Sequence, residues 1–436
     1  QIRLLDMRGL HELAERFLEP MLRFQGSKRF PGKFRSSDGI FHGIRVDEAH
    51  DYTSWGYNLN HGWTLWTLAE HYRFTHDEAW LRRVRPNLMR GADWIIRERK
   101  ATQTAGSPEF GLLPAGQLED TEEWRHWFAV NAYAYRGLRA VADVLQDAAL
   151  RREADAYRTN IRAAVERSVA VAPVAPRRDG TWGPVIPPRT GLHGRDLGWI
   201  RNILYGALVL IDCGVYSPGE ATADWILDDL EDNLFLSADS LGSAGADWFS
   251  RGGITLQPNL VNSFVAYQAR GEVKSALRAF YNTFAVSYYP DVNAFTEWVP
   301  SFGRSGGPYY KTSDEAGFLA WLRLMLIRED GTALQLLSAA PRNWFRQGET
   351  VQVKNAATFF GQVSFRVAAA GPDQITATLQ LPQSREVSRL QIRLPHPENR
   401  PLRRALVDGQ PTTFDPDRET VSIPYRPGAI RVEAFY

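Results

Sequence analysis

Apolar residues recur at three- and four-residue spacing through about 2–24, 58–75, 77–98, 124–146, 148–171, 196–213, 218–236, 254–270, 272–289 and 313–328. That period predicts ten helices. The joins between them alternate in length. Short ones fall at Thr75–Asp77, Gln146–Ala148, Gly214–Pro218 and Gly271, and long ones at about 25–57, 99–123, 172–195, 237–253 and 290–312. A ring of helical hairpins produces this alternation: each short turn joins an inner helix to an outer one, and each long loop returns to the next inner helix at the opposite end. The helices that follow long loops are therefore expected inside. Leu59–Leu68 and Ile200–Ile211 are apolar nearly all round, as buried helices should be, whereas 77–98 and 148–171 carry solvent faces rich in arginine, including Arg82, Arg83, Arg151 and Arg152.

The pattern changes after about 335. Thr350–Val353, Gln362–Val367, Ile375–Gln380, Gln391–Leu394, Ala405–Val407, Val421–Ile423 and Ile430–Phe435 alternate or are β-branched, with Gly, Pro and Asp turns between them. The expected architecture is mainly α: a helical-hairpin (α/α) toroid over 1–335, followed by a small antiparallel β-sandwich over 336–436. Ten helices make five hairpins, so either a sixth pair lies upstream of Gln1 or the ring is incomplete.

Composition narrows the partners. Lys plus Arg is 51 against 50 for Asp plus Glu, a formal net charge of +1 that argues against nucleic acid as the partner. No apolar run reaches a membrane span. The single cysteine, Cys213, excludes an intramolecular disulfide and a Cys-based zinc site. No His pair has helical ligand spacing at a rim position, so neither a metal nor another cofactor is expected. The chain begins at Gln1 without a basic-then-apolar leader and reads as a processed or excised portion, for which a secreted or periplasmic setting is expected over a cytoplasmic one. Aromatics make up 12% of the chain, and several of the 14 tryptophans fall in the long loops, where flat faces can stack on sugar rings.

Loops longer than about 12–15 residues in a compact domain are usually functional, and five opening on one rim predict a cleft. The loop before the second inner helix clusters Glu119, Asp120, Glu123, Arg125 and His126 among Trp124 and Trp127. Asp120 and Glu123 have capping-box spacing, a structural alternative that Glu119 escapes. The loop before the last inner helix holds Glu297 and Trp298 between turn signals, then Tyr309, Tyr310 and Lys311, then Asp314 and Glu315, which read as first-turn caps. His193, Arg195 and a capping Asp196 precede another inner helix, and Asp247, Trp248 and Arg251 occupy the fourth loop. His42, Asp47, His50, Asp51, Tyr52 and Trp55 populate the first, while His61 reads as a satisfied core histidine.

These residue types suit glycosidic cleavage. One protonated carboxyl protects the leaving oxygen, and a second carboxylate activates water or attacks; a separation of roughly 6.5–9.5 Å gives inversion and about 5–5.5 Å retention. Glu297 is the candidate base, and Glu119 or Asp120 the candidate acid, with Asp247 a further possibility. Trp124, Trp127, Trp248, Trp298 and Tyr310 are candidate sugar platforms, and Arg125, Arg195, Arg251 and Lys311 candidates for orienting hydroxyl or carboxylate groups.

Helical hairpins followed by a sandwich, together with Thr296-Glu297-Trp298, the run from Tyr309 to Arg323, Pro341-Arg342-Asn343-Trp344 and the stretch from Gly348 to Ser364, resemble the six-hairpin (α/α)6 glycosidase superfamily, most of all α-L-rhamnosidase-type enzymes. The resemblance implies an inverting hydrolase of oligo- or polysaccharides with a late base at Glu297 and an early acid among Glu119–Glu123 or at Asp247. Two other readings remain open. One is a polysaccharide lyase eliminating across a uronic acid with Tyr309, Tyr310 or His193 as base and Arg195 or Asn58 neutralising the carboxylate. The other is a non-catalytic carbohydrate-binding scaffold. Phosphorolysis lacks a basic or Gly-rich cradle.

Overall fold

The structure is a computed structural model that describes residues 1–46, 52–55, 57–196, 198–235, 255, 257–301, 304–309, 312–383 and 387–436. The stretch 2–24 is two helices rather than one, α1 (Ile2–Met7) and α2 (His11–Arg23). Gly9, at φ 75°, supplies the left-handed residue that breaks them, and Asp6 reaches forward to the His11 Nδ1 at 2.9 Å across the break. The hairpins that follow are α3 (Leu59–Thr75) with α4 (Glu78–Lys100) and α5 (Phe128–Val144) with α6 (Ala148–Val169). Asp77 and Asp147 sit at the N-caps of α4 and α6, each accepting from two backbone N–H groups, so both short turns end on a capping aspartate.

The stretch 196–213 is not one regular helix. It forms a π-helical turn (Ile200–Leu204) and then α7 (Leu208–Asp212). A Cβ at Gly206 would collide with the Asn202 carbonyl, so glycine is what lets the widened turn close on itself. Next come α8 (Ala221–Asp229), running into a second π turn (Leu230–Leu234), then α9 (Ser263–Arg270), α10 (Val273–Ser287) and α11 (Thr312–Leu326).

Among the described residues, six inner members follow one another around the ring: α1, α3, α5, α7, α9, α11 and back to α1. The five-hairpin arithmetic of the sequence is corrected by α1, which packs against both α3 and α11. In this order α5 and α11 stand opposite each other. The tightest seam is α3 on α5, where Gly62 and Gly137 let the two backbones meet.

Strands β1 (Gly43–Val46), β2 (Tyr52–Trp55), β3 (Gly116–Gln117), β4 (Trp124–Arg125), β5 (Val174–Pro176), β6 (Trp182–Pro184), β7 (Tyr288–Tyr289), β8 (Ala294–Ser301) and β9 (Arg304–Tyr309) all lie in the long connections. The sandwich begins inside the last stretch read as helical, with β10 (Ile327–Asp330) and β11 (Ala333–Leu336). These two join β15 (Arg389–Arg393), β19 (Thr420–Ile423) and β18 (Phe414–Asp415) in one sheet. The other sheet has the order β12 (Thr350–Thr358), β13 (Gly361–Gly371), β14 (Gln374–Leu381), β20 (Gly428–Phe435), β16 (Arg404–Val407), β17 (Gln410–Pro411). All seven strands expected from the sequence are among them.

Each part has its own apolar core, one among the helices and one between the sheets. A small third cluster of Met7, Phe74, Ala357 and Phe359 joins them. Beside it, His76 at the end of α3 bonds the Phe359 carbonyl at 2.7 Å, and Arg323 near the end of α11 donates to the Ala357 carbonyl at 2.9 Å and pairs with Glu329 at 2.6 Å. The sandwich therefore covers the short-turn end of the ring. At the other end the long loops are stitched to one another: Gly32 bridges Gly116, and Trp127 bridges Arg189.

Candidate functional site

The rim site is built on the N-terminal ends of the inner helices. Leu118-Glu119-Asp120 leaves strand β3 and turns back before β4. Glu119 makes the turn in the left-handed region, φ 41°, a conformation that a glutamate adopts rarely. Its Oε1 accepts from the Tyr205 hydroxyl at 3.1 Å, and the next residue, Asp120, accepts from the Tyr57 hydroxyl at 2.7 Å. Tyr205 closes the first π turn, and Tyr57 immediately precedes α3, so two separate inner elements present phenols to adjacent acids. Glu119 is half-buried and Asp120 exposed.

Beneath the acids lies an aromatic floor. The Trp63 ring meets Tyr133 edge-on at 5.4 Å and Tyr205 at 6.2 Å. Burial holds the Tyr205 phenol well above its ordinary pKa, and the neighbouring Glu119 adds to the effect. Tyr133 is raised for the same first reason, with Cys213 and Asp212 next. Both phenols therefore stay protonated, and Tyr205 remains a hydrogen-bond donor.

Deeper still, every inner helix gives a polar side chain to the ring axis. Arg3 pairs with Glu70, while Arg3 and Arg136 lie over the Trp66 ring at 5.2 and 3.6 Å. Arg136 bonds Asp212 at 3.2 Å, Asn262 donates to Asp212 at 3.2 Å, and Trp321 donates to Asn262 at 3.2 Å. These charges satisfy one another below the floor.

Other expected site residues divide clearly. Trp124 is 45% exposed on β4, in register with Gln117, and suits a platform. Arg125 is exposed beside Glu123 at 3.8 Å, and Glu123 also meets Arg201 at 3.3 Å. Around them Arg189 is held below its ordinary pKa, first by burial and then by Arg125. The capping-box alternative for Asp120 and Glu123 fails, because β4 intervenes and α5 begins only at Phe128.

Trp127 is corrected: it is 1% exposed, packed in the helical core, and cannot offer a face to a sugar. His126 bonds the Leu113 carbonyl at 2.9 Å, and burial lowers its pKa, which keeps it neutral. His193 is exposed. Arg195 has the structural job that the sequence did not reveal, bonding both oxygens of Asp229 at 3.0 and 3.1 Å. Asp196 accepts from the Gly198 N–H at 2.9 Å just before the π turn. His42 is buried against the Gly43 carbonyl.

Glu297 is corrected from a loop to strand β8, where it is half-buried. The β8–β9 pairing is irregular, with Thr296 opposite Tyr309 and Trp298 opposite Gly306. A Cβ at Gly306 would enter the Trp298 ring, and one at Gly307 would meet the Glu297 carboxylate, so two glycines make room for both side chains. Gly307 also takes φ 72°. Behind them the buried Thr296 hydroxyl donates to the Gly306 carbonyl at 2.9 Å, and Asn259 donates to the Thr296 carbonyl at 3.2 Å. Asp314 and Glu315 do lie in the first turn of α11; Glu315 accepts from the Phe295 N–H at 3.3 Å. Tyr52 and Trp55 lie in β2. Asp47, His50, Asp51, Asp247, Trp248, Arg251, Tyr310 and Lys311 lie outside the described residues.

Tyr57, Trp63, Tyr133 and Tyr205 escaped the sequence reading. Three of them sit within or beside apolar helical runs, where an aromatic reads as core; Tyr57, next to the polar Asn58 at a loop end, carried the one available signal.

No protein-family model and no curated protein matches the sequence. Among solved structures, an alpha-L-rhamnosidase from Dictyoglumus thermophilum is similar over 100% of this chain and 46% of its own, at 9% identity and a TM-score of 0.54. This chain thus spans less than half the length of that protein. A GH78 family rhamnosidase of Bacillus sp. GL1 is similar over 77% of this chain and 32% of its own, at 14% identity and a TM-score of 0.39. A metal-independent alpha mannosidase from Streptococcus pneumoniae is similar over 74% of this chain and 83% of its own, at 11% identity and a TM-score of 0.44. The first likeness establishes the fold: a helical-hairpin (α/α) toroid followed by a sandwich whose strands pair antiparallel, as expected, except β11 with β15, which run parallel.

Proposed function

We propose that the protein is a glycoside hydrolase working at the long-loop rim, with Glu119 as general acid, Glu297 as general base and an inverting outcome. The observation that carries this reading is the pair Glu119–Tyr205, a half-buried carboxylate held by a neutral phenol above an aromatic floor. Between Glu119 and Asp120, Glu119 is taken as the acid because it is the more buried of the two and meets Tyr205 over the aromatic floor. Glu297, on β8, lies in the connection before α11 and Glu119 in the connection before α5, which are opposite members of the ring. Approach from opposite walls suits two carboxylates flanking a scissile bond, which is what glycosidic cleavage needs. Trp124 offers a sugar platform and Arg125 a hydroxyl or carboxylate contact. The uronate-eliminating alternative loses Arg195, which is held by Asp229.

The test is a screen of plant and microbial glycans with products read by mass, followed by Glu119→Gln and Glu297→Gln on whichever substrate is cleaved. Each variant should lose about 10²–10⁴-fold in kcat while melting like the parent. Retention of more than about a hundredth of the parent's turnover by either variant removes that residue from its role.

A further inference from the structure

At the short-turn end, a cavity of about 1030 Å³ lies between the α9–α10 turn and the outer face of the sheet formed by β10, β11, β15, β19 and β18. The two faces of that sheet differ in chemistry. Leu334, Leu336, Leu390, Ile392, Val421 and Ile423 point into the sandwich core. The alternate positions carry hydrogen-bonding side chains, and the register aligns them: Arg328 opposite Gln335, Gln335 opposite Gln391, and Arg393 opposite Thr420. Residues paired across strands share a face, so Arg328, Gln335 and Gln391 form one row across three strands. Arg389 stands two residues from Gln391 on the same side, paired with the small Ala333.

The charges on this surface are unevenly spent. Glu419 is held between Arg342 and Arg393, Glu272 by Arg270, and the Asp415 carboxylate by the backbone N–H groups of Asp417 and Arg418. Arg328 is tied to Gln335 and Asp330, each at 3.2 Å. Arg389 and Lys274 have no acidic partner among the described residues; Asp417, exposed, is the one lining acid in the same condition. Arg389 also presses like charge on Arg328, whose pKa is lowered first by burial. On the facing wall, the first turn of α10 contributes Val273, Lys274 and Ser275 and the positive end of a 15-residue helix.

We infer that this cavity is a second binding site, remote from the rim, that takes an anionic oligosaccharide, with Arg389 and Lys274 meeting its acidic groups and the Gln335–Gln391 row meeting its hydroxyls. The saccharide half of this inference rests on the proposed function; the anionic half rests on the cavity alone. Planar amides and guanidinium groups at strand spacing match a chain of hydroxyls and carboxylates, and the volume admits several sugar units.

Isothermal titration of the full chain tests it with three hexasaccharides: a galacturonate oligomer, a sulfated oligomer and neutral maltohexaose. At least one anionic oligomer should bind at least tenfold more tightly than the neutral one, with affinity falling as salt rises, and comparing the two shows whether carboxylate or sulfate is preferred. Arg389→Gln should weaken that binding at least tenfold, and Gln391→Ala several-fold, with unchanged melting and unchanged glycan cleavage at the rim. Trp124→Ala should leave it intact. Equal affinity for the neutral oligomer, no effect of Arg389→Gln, or loss with Trp124→Ala overturns the inference. If no glycan is cleaved but Arg389-dependent binding is found, the hydrolase reading falls and this site stands.

Discussion

The Tyr205 hydroxyl donates to Glu119 Oε1 across 86 positions of sequence, at 3.1 Å, from a π turn that Gly206 permits. As the general acid gives up its proton it becomes charged, and a hydrogen bond to a charged group is worth about 1.5–3 kcal/mol. Tyr205→Phe should therefore lower kcat by about 10–100-fold while leaving the ring to supply the same buried surface. Kinetics on the substrate found in the screen, with melting as control, decide this. A variant within about twofold of the parent in kcat would detach the phenol from the chemistry.

Trp124 stands on a two-residue strand with nearly half its surface open. A face that holds substrate and transition state alike sets KM rather than kcat. Trp124→Ala should raise KM about five- to tenfold, equivalent to about 1–1.4 kcal/mol, with kcat within about twofold and an unchanged melting temperature. A fall in kcat with KM constant would move Trp124 from the platform to the reacting centre.

The ring was legible because loop length and helical period are local properties. Alternating joins mark the inner helices that follow long loops, but not α1, which Gly9 separates from α2 inside one apolar run. Burial is a different matter. Trp124 and Trp127 are three residues apart in one acidic loop, yet one is open and the other packed in the core, because Trp127 bridges Arg189 from the following loop. Pro300 and the surrounding turn residues made Glu297 look like loop, whereas the pairing of β8 with β9 is settled by glycines that accommodate its neighbours. The aromatic floor was hidden for the opposite reason: Trp63, Tyr133 and Tyr205 belong to apolar helical runs, and only their meeting at the ring's mouth separates them from ordinary core.

His61 links acid stability to the core. Its Nδ1 accepts from the Phe41 N–H at 3.0 Å, and its Nε2 lies 3.0 Å from the Gly91 carbonyl, so only the neutral Nε2–H form fits both partners. Burial pulls its pKa to about 3. The unfolded chain takes up a proton near pH 6.5 that the folded chain refuses, so stability is complete above 6.5 and falls as pH drops toward 3. The loss attributable to this one group is about 2 kcal/mol at pH 5. Urea unfolding at pH 7.5 and 5.0 should show the parent losing that much more over the interval than His61→Gln, whatever the variant's overall stability. Equal losses would mean that His61 titrates normally.

Gly62 sets two general effects against each other. Alanine in a helix interior is ordinarily better than glycine by about 0.5–1 kcal/mol, since glycine has more backbone freedom to lose. At this position, however, a Cβ would run into the Tyr133 carbonyl and come within 2.6 Å of the Ala134 nitrogen, both backbone atoms of α5 that cannot swing aside. Gly137 mirrors it: a Cβ there would come within 2.8 Å of the Gly62 carbonyl oxygen. Overpacking of this kind costs about 1–3 kcal/mol, so the steric effect wins and Gly62→Ala should melt lower than the parent. Because the displaced segment carries Tyr133, and Trp63 is the next residue on α3, the aromatic floor must shift with it, and kcat/KM should fall as well. A Gly62→Ala protein that melts at or above the parent would show that α3 and α5 are not in backbone contact, and the floor built on that seam would lose its support.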